Sequence, residues 1–328
     1  MLAALALAAV SGPAAAQTPA AYATRPDVQA FIDDMASRHG FSRRDLEALF
    51  ARVRPQPSAV RAMTPQIKGA RSWQQYRARF VTRSRIDGGA AFWARHAATL
   101  DRASAEYGVP PEIIVAIIGV ETEYGRIMGD YRVADALATL AFDYPRRAEF
   151  FRSELEEFLL LAREVNADAF GFRGSFAGAV GLPQFMPGSY RRYAVDFDGD
   201  GRRDLRGSPA DAIGSVGNFL RGHGWQPGAP IAFPARLAAP DARALADGGV
   251  DAARTAAELR IAAVDFDAGV ADETPCVLVE LDSIDAEPVF WVGLTNFYVV
   301  TRYNRSSFYA ISVIELAQAV RAARGAVR

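Results

Sequence analysis

Cysteine and histidine are almost missing from this chain of 328 residues. Cys276 is the single cysteine, so no intramolecular disulfide can form, and no cysteine follows the N-terminal leader to carry a lipid. His39, His96 and His223 are the only histidines and are widely separated, which argues against a histidine-rich zinc site and weakens any serine or cysteine triad. Charge imbalance is absent as well. A formal net charge of −1 gives no whole-chain attraction to nucleic acid, and no basic run is dense enough to follow phosphates. The apolar run from Leu2 to Val10 is too short to span a bilayer. It precedes the first charged residue, Arg25, and leads to Ala14-Ala15-Ala16, so residues 1–16 read as a secretory signal lacking its usual positive flank, with a disordered alanine-rich leader as the alternative. The expectation is an exported, soluble protein without a transmembrane segment.

What is present suits an ordinary globular protein: 50% hydrophobic and 23% charged residues supply a sizeable core, and the length suggests two or three compact units. From about Asp27 to Leu100 the spacing is helical, as in Val28 to Ile32 and Arg44 to Phe50, and breaks near Pro55-Gln56-Pro57. Residues 103–225 read as several helices with glycine-rich joints, among them Arg147 to Leu159. Residues 226–291 change character, and Leu259 to Val264 and Pro275 to Leu281 suit strands of a small antiparallel unit. Helical spacing returns from Thr295 to Tyr303 and from Ser307 to Ala323, which are expected to fold back on the core. No internal repeat is evident.

The most informative stretch is Gly119-Val120-Glu121-Thr122-Glu123-Tyr124-Gly125. It ends an apolar run that opens at Pro110-Pro111 and continues through Ile113 to Ile118, a pattern that predicts a buried helix of about four turns stopping at Gly125. Helical spacing stacks Glu121 over Ile114, Ile117 and Ile118, and Glu123 over Ala116, Gly119 and Val120. Burial and the negative end of the helix dipole both disfavour a charged Glu121, so its pKa is expected above that of a free glutamate. Such a carboxyl can hold a proton for general acid catalysis at a glycosidic oxygen. The alternative is that either glutamate pairs with an arginine.

Two further clusters carry chemistry. Asp196, Asp198 and Asp200 with Gly201 copy positions 1, 3, 5 and 6 of an EF-hand loop, Arg202 takes position 7 and Asp204 position 9. Position 12 is Gly207, so the closing ligand must come later, with Asp211 the nearest carboxylate. Calcium is the expected ion, because clustered aspartates without one repel; a metal-free turn is the alternative. Residues Gly174 to Pro187 combine small residues with Ser175, Gln184 and Phe185, offering close backbone approach, amide hydrogen bonds and a flat apolar surface for a neutral sugar. A glycine-loosened turn with a packed phenylalanine would look the same.

These residues together resemble the B-type lytic murein transglycosylases, bacterial envelope enzymes that cleave the glycan strands of peptidoglycan. The resemblance runs along most of the chain. Its carriers are Arg71-Ser72-Trp73 with Tyr76, Gly119 to Gly125, Asp135 to Leu140, Tyr144-Pro145-Arg146-Arg147, Ser175 to Pro187, the aspartate loop, Asp211 to Val216, and Asn296 through Asn304. It implies a mainly α (α+β) fold: a helical domain over 17–98, a lysozyme-like catalytic core over 99–229, a small antiparallel β domain over 230–293 and C-terminal helices over 294–328 returning to the core. Glu121 is then the single catalytic acid and base, Ser175, Gln184, Phe185, Tyr303, Asn304 and Tyr309 line the glycan groove, and Tyr76, Arg146 and Arg147 approach the substrate. The arginines suit the anionic lactyl and peptide carboxylates, although ion pairs with Glu149 or Glu154 would also account for them. The implied cofactor is structural Ca2+ at Asp196, Asp198, Asp200, Arg202 and Asp211, with no organic cofactor. Peptidoglycan glycan strands are the implied partner, other cell-wall enzymes are candidates, and the periplasm is the implied location.

The implied reaction cleaves the β-1,4 bond between N-acetylmuramic acid (MurNAc) and N-acetylglucosamine (GlcNAc) and closes a 1,6-anhydro ring on MurNAc without consuming water. Ordinary hydrolysis is the alternative, and needs a second carboxylate about 5 to 9.5 Å from the first; Asp135 and Asp143 are the candidates. An inactive, calcium-stabilised peptidoglycan-binding protein is the non-enzymatic alternative.

Overall fold

Residues 22–64, 72–246, 248–284 and 286–326 are described in the computed structural model. The leader over residues 1–16 and Arg71 lie outside the described residues. The chain divides into two compact units, one ending at Arg54 and one beginning at Pro55.

In the first unit, helices Pro26–His39 and Arg43–Arg52 are joined by a short turn. Gly40 takes the left-handed conformation that ends the first helix (φ 65°), and the Ser42 hydroxyl accepts a hydrogen bond from the Asp45 N–H to start the second. Phe31 meets Phe50 edge to face, with ring centroids 5.9 Å apart.

The second unit is mainly α, with the small antiparallel sheet that the apolar runs after residue 226 lead one to expect. Its centre is the helix Pro111–Thr122, in which every residue from Ile113 to Val120 is buried. A helix apolar on all sides must be wrapped on all sides, and this one packs against Arg83–Arg95, Ala97–Tyr107, Pro209–Gly222 and Ser307–Ala326. It ends at Thr122, three residues before the expected stop at Gly125, because Glu123 and Tyr124 turn left-handed (φ 51° and 60°). The reversal sends the Tyr124 ring back against Gly119, where a Cβ would lie 2.5 Å from the phenol oxygen. That oxygen donates to the Arg85 carbonyl at 2.8 Å.

A two-stranded ribbon pairs β1 (Tyr131–Arg132) with β2 (Arg173–Gly174). The larger sheet contains β3 (Ala232–Leu237), β4 (Arg254–Thr255), β5 (Val264–Asp265), β6 (Pro275–Leu281) and β7 (Val289–Gly293), all antiparallel in the order β4-β6-β7-β3-β5. Leu278 faces Val292 in the register, and both join a buried cluster with Ala256, Leu259, Val264, Cys276 and Leu294. The strand expected over Leu259 to Val264 is instead the end of a helix, Ala256–Ile261, followed by β5. A capping box overrides the apolar run: Thr255 Oγ1 accepts from the Glu258 N–H, and the Glu258 carboxylate accepts from the Thr255 N–H. Among the described residues no single helix is long and apolar enough to cross a membrane.

Candidate active site

Glu121 stands in the last turn of the buried helix, and its carboxylate has one side-chain partner among the described residues. Tyr309, from the C-terminal helix Ser307–Ala326, donates its hydroxyl to Glu121 Oε1 at 2.7 Å. Glu121 keeps a partial opening to solvent, yet packed protein surrounds the carboxyl. Burial pushes its pKa up to about 7, against the opposing pull of the Tyr309 hydrogen bond. The phenol itself is far from ionising, because burial and the neighbouring Glu121 charge both raise its pKa.

Glu123, two residues on, has the opposite fate. It forms salt bridges with Arg126 and, at 3.8 Å, with Arg85, and it accepts the Ser84 hydroxyl at 3.0 Å. The Arg126 hydrogen bond holds its carboxyl below the usual range despite some burial. Pairing with arginine therefore explains Glu123, whereas Glu121 has no countercharge among the described residues.

An aromatic file leads away from the acid. Tyr303 stacks on Tyr309 with ring centroids 6.4 Å apart and planes at 16°, and its hydroxyl donates to the Pro183 carbonyl at 3.0 Å. Phe185 supports Tyr303 at 5.8 Å and packs on Phe219 at 5.4 Å. Because Phe185 is only 2% exposed, it props up the wall and does not present a ring face to a sugar. Tyr76 packs against Phe80 and Phe308, and it lies near enough to Tyr309 to act on it electrostatically.

The loop after β2 forms the neighbouring wall. Ser175 Oγ accepts from the Ala177 and Ala179 N–H groups at 3.3 and 3.1 Å, leaving its proton to donate. Gln184 sits at φ 51° and spends its amide nitrogen on the carbonyls of Gly181 (2.9 Å) and Met128 (3.2 Å). Its side-chain carbonyl remains to meet a ligand. Arg146, Arg147 and Asn304 are exposed and make no contact with the carboxylate. Arg147 lies 4.2 Å over the Phe150 ring, and neither arginine pairs with Glu149 or Glu154; Glu154 instead accepts the Gly188 N–H at 2.9 Å.

The two candidates for a second carboxylate differ in setting. Asp135 is buried and salt-bridged to Arg132 at 2.6 Å, a structural pairing. Asp143 is exposed at the end of its helix. Sequence reasoning missed Thr122, whose buried hydroxyl reaches across to the Leu182 carbonyl at 2.9 Å. A polar residue beside a glutamate at the end of an apolar helix was the available signal.

Elsewhere in the unit, carboxylate oxygens of Asp196, Asp198 and Asp211 lie within 4.8 Å of one another. Asp211 reaches them from the first turn of helix Pro209–Gly222 and also accepts the N–H groups of Phe197 and Asp204, both at 2.7 Å. Three convergent hard oxygens fit a calcium ion. The Asp200 carboxylate stands outside this tight group and accepts the Arg202 N–H at 2.8 Å.

Comparison with known proteins agrees with this architecture. Residues 23–318 match the family described as Transglycosylase SLT domain. The chain is 43% identical over 312 residues to membrane-bound lytic murein transglycosylase B of Escherichia coli (strain K12), covering 92% of this chain and 85% of that one. The crystal structure of catenated lytic transglycosylase SltB1 from Pseudomonas aeruginosa superposes with a TM-score of 0.88 at 46% identity, covering 93% of this chain and 100% of that one. The Escherichia coli lytic transglycosylase Slt35 in complex with calcium gives a TM-score of 0.84 at 44% identity, covering 93% and 95%. The fold is the lysozyme-like one with a small antiparallel sheet, and the chain belongs to the transglycosylase SLT domain family.

Proposed function

We propose that this protein is a lytic transglycosylase that cleaves the β-1,4 bond between MurNAc and GlcNAc in peptidoglycan, leaving 1,6-anhydro-MurNAc ends, in the periplasm during cell-wall remodelling or turnover. One observation carries the reading: among the described residues Glu121 has the neutral Tyr309 phenol as its side-chain partner, and burial raises its pKa to about 7. Near neutral pH such a group exists in both forms, which suits one residue that must first give a proton and then take one.

In the first step protonated Glu121 donates to the glycosidic oxygen as positive charge develops at the muramic C1. Departure of the GlcNAc-side oxygen leaves Glu121 as a carboxylate, which the Tyr309 hydroxyl stabilises at 2.7 Å. The carboxylate then removes the proton from the C6 hydroxyl of the same sugar, and that oxygen attacks C1. One C–O bond breaks, another forms, and Glu121 regains its proton. Asp135, tied to Arg132, is poorly suited to the nucleophile's part in a hydrolase. Ser175, Gln184, Tyr303 and Tyr76 would hold sugar rings and acetamido groups, with Arg146, Arg147 and Asn304 at the exposed margin.

The aspartate loop is proposed to hold a structural Ca2+ through Asp196, Asp198 and Asp211; the calcium complex of the Escherichia coli relative supports this. The ion would neutralise charge in the loop and take no part in the sugar chemistry. Mass spectrometry of purified peptidoglycan digested with wild type and with Glu121→Gln tests the main reading. Anhydro-ended products, one water lighter than hydrolysed ones and absent with the variant, are expected. Reducing-end products would mean a hydrolase, and no products from accessible glycan would mean a binding protein.

A further inference from the structure

We infer that Thr122 is a positioning residue for Glu121: its hydroxyl fastens the end of the acid's helix to the Leu182-Pro183 segment that also holds Tyr303. The inference rests on the reading of Glu121 as acid and base. Thr122 is 1% exposed, and its Oγ1 has two acceptors in range, the Leu182 carbonyl at 2.9 Å and the intrahelical Ile118 carbonyl at 3.2 Å. A hydroxyl has a single proton. The shorter contact assigns it to Leu182, across a gap of 60 residues in sequence, while the oxygen accepts the Gly125 N–H at 3.1 Å.

The fastened segment is itself tied on two other sides. The Leu182 N–H donates to the Leu205 carbonyl at 2.8 Å, and the Pro183 carbonyl accepts the Tyr303 hydroxyl at 3.0 Å. Gly181, at φ 75°, lets the chains meet, since a Cβ there would lie 2.3 Å from the Leu205 oxygen. Tyr303 stacks on Tyr309, which donates to Glu121. The contacts therefore close a ring: from the Glu121 carboxylate through Tyr309, Tyr303, Pro183 and Leu182 to Thr122, and back along one peptide bond to Glu121. One arm holds the carboxylate and the other holds its backbone, and both meet on the same dipeptide. An acid that must reach the glycosidic oxygen and then the C6 hydroxyl gains from being fixed to the wall that seats the sugar.

The test uses the full chain with Thr122→Val, which keeps the shape but loses donor and acceptor, and Thr122→Ser, which keeps the hydroxyl. Readouts are kcat and apparent KM on purified peptidoglycan, the alkaline limb of the kcat profile, and Tm. For Thr122→Val we expect kcat to fall about a hundredfold, the scale of a misplaced reacting group, with KM little changed. The alkaline limb should move to lower pH, because a loosened wall wets Glu121 and relieves the burial that keeps it protonated. Thr122→Ser should restore both. A purely structural hydroxyl would lower Tm and leave kcat and the limb in place, and that result overturns the inference. If Thr122→Val does not fold, Thr122→Cys decides: a weak thiol donor should give kcat severalfold below Thr122→Ser with the limb shifted, and equality with Thr122→Ser overturns the inference. Wild type and Glu121→Gln run alongside. Loss of the anhydro-product difference between them would remove the acid to be positioned and sink both readings, whereas normal products with an unaffected Thr122→Val sink this one alone.

Discussion

Glu121 is enclosed by apolar helix and phenols and has one side-chain hydrogen bond among the described residues. In the loop from Asp196 to Asp211 three carboxylates crowd within 4.8 Å, and the backbone is turned toward them. Asp196 accepts N–H groups from Gly199, Asp200 and Gly201, and Asp211 accepts those of Phe197 and Asp204. The Ser208 hydroxyl holds the Asp198 carboxyl below its usual range, while burial raises that of Asp211. The same functional group thus sits in two opposite settings. Burial with few donors favours the protonated carboxyl, whereas many donors around clustered acids favour the charged form, the setting a cation site would need.

The pH dependence of stability should separate Glu121 from the acidic loop most strongly. The folded-state pKa of Glu121 is raised from 4.5 to about 7, so between those values the folded protein binds more protons than the unfolded chain and stability falls as pH rises. Below about pH 4.5 the group is neutral in both states and the penalty vanishes. Glu121→Gln, always neutral, should therefore be more stable than wild type by about 3 kcal/mol above pH 7, from some 2.5 units at 1.36 kcal/mol each. The gap should close by about pH 4.5. Urea unfolding at both pH values measures it, and a gap independent of pH would place the stored proton elsewhere.

The opposite response is expected of the loop. Adding calcium at a hundred times its Kd should stabilise wild type by about 2.7 kcal/mol, seen as a rise of several degrees in Tm. Chelation should remove the rise, and Asp196→Asn should weaken it by taking away a charge while keeping an acceptor. Calorimetry with calcium and with chelator distinguishes this from an Asx turn, for which the added ion would leave Tm unmoved.

The parts of this contrast that lie within one element could be read from the chain. Ile113 to Ile118 marked the buried helix and placed Glu121 in its last turn, and the spacing of Asp196, Asp198 and Asp200 marked an acidic loop. What could not be read depends on distant residues or on rival local signals. Tyr309 is 188 residues from the glutamate it meets, and no periodicity links them. Phe185 looked like a sugar platform, but Phe219 and Tyr303 cover it from other parts of the chain. Leu259 to Val264 reads as a strand by composition, whereas the Thr255 and Glu258 capping box starts a helix there. The early end of the helix at Thr122 follows from where the Tyr124 ring finds room, against Gly119.

The finest distinction concerns how much of the proton storage belongs to burial and how much to the one hydrogen bond. Tyr309 donates to Glu121 and so favours the carboxylate, opposing the larger effect of burial. Removing only that donor in Tyr309→Phe should raise the Glu121 pKa further and move the alkaline limb of kcat to higher pH, the reverse of the shift expected for Thr122→Val. Turnover should fall severalfold even on the plateau, because the carboxylate formed after bond cleavage loses its stabilising partner just when it must accept the C6 proton. A pH profile of the purified variant on peptidoglycan reads both effects. A limb that moves down would mean that the phenol seals the cleft against water, so that its packing outweighs its hydrogen bond in setting the acid.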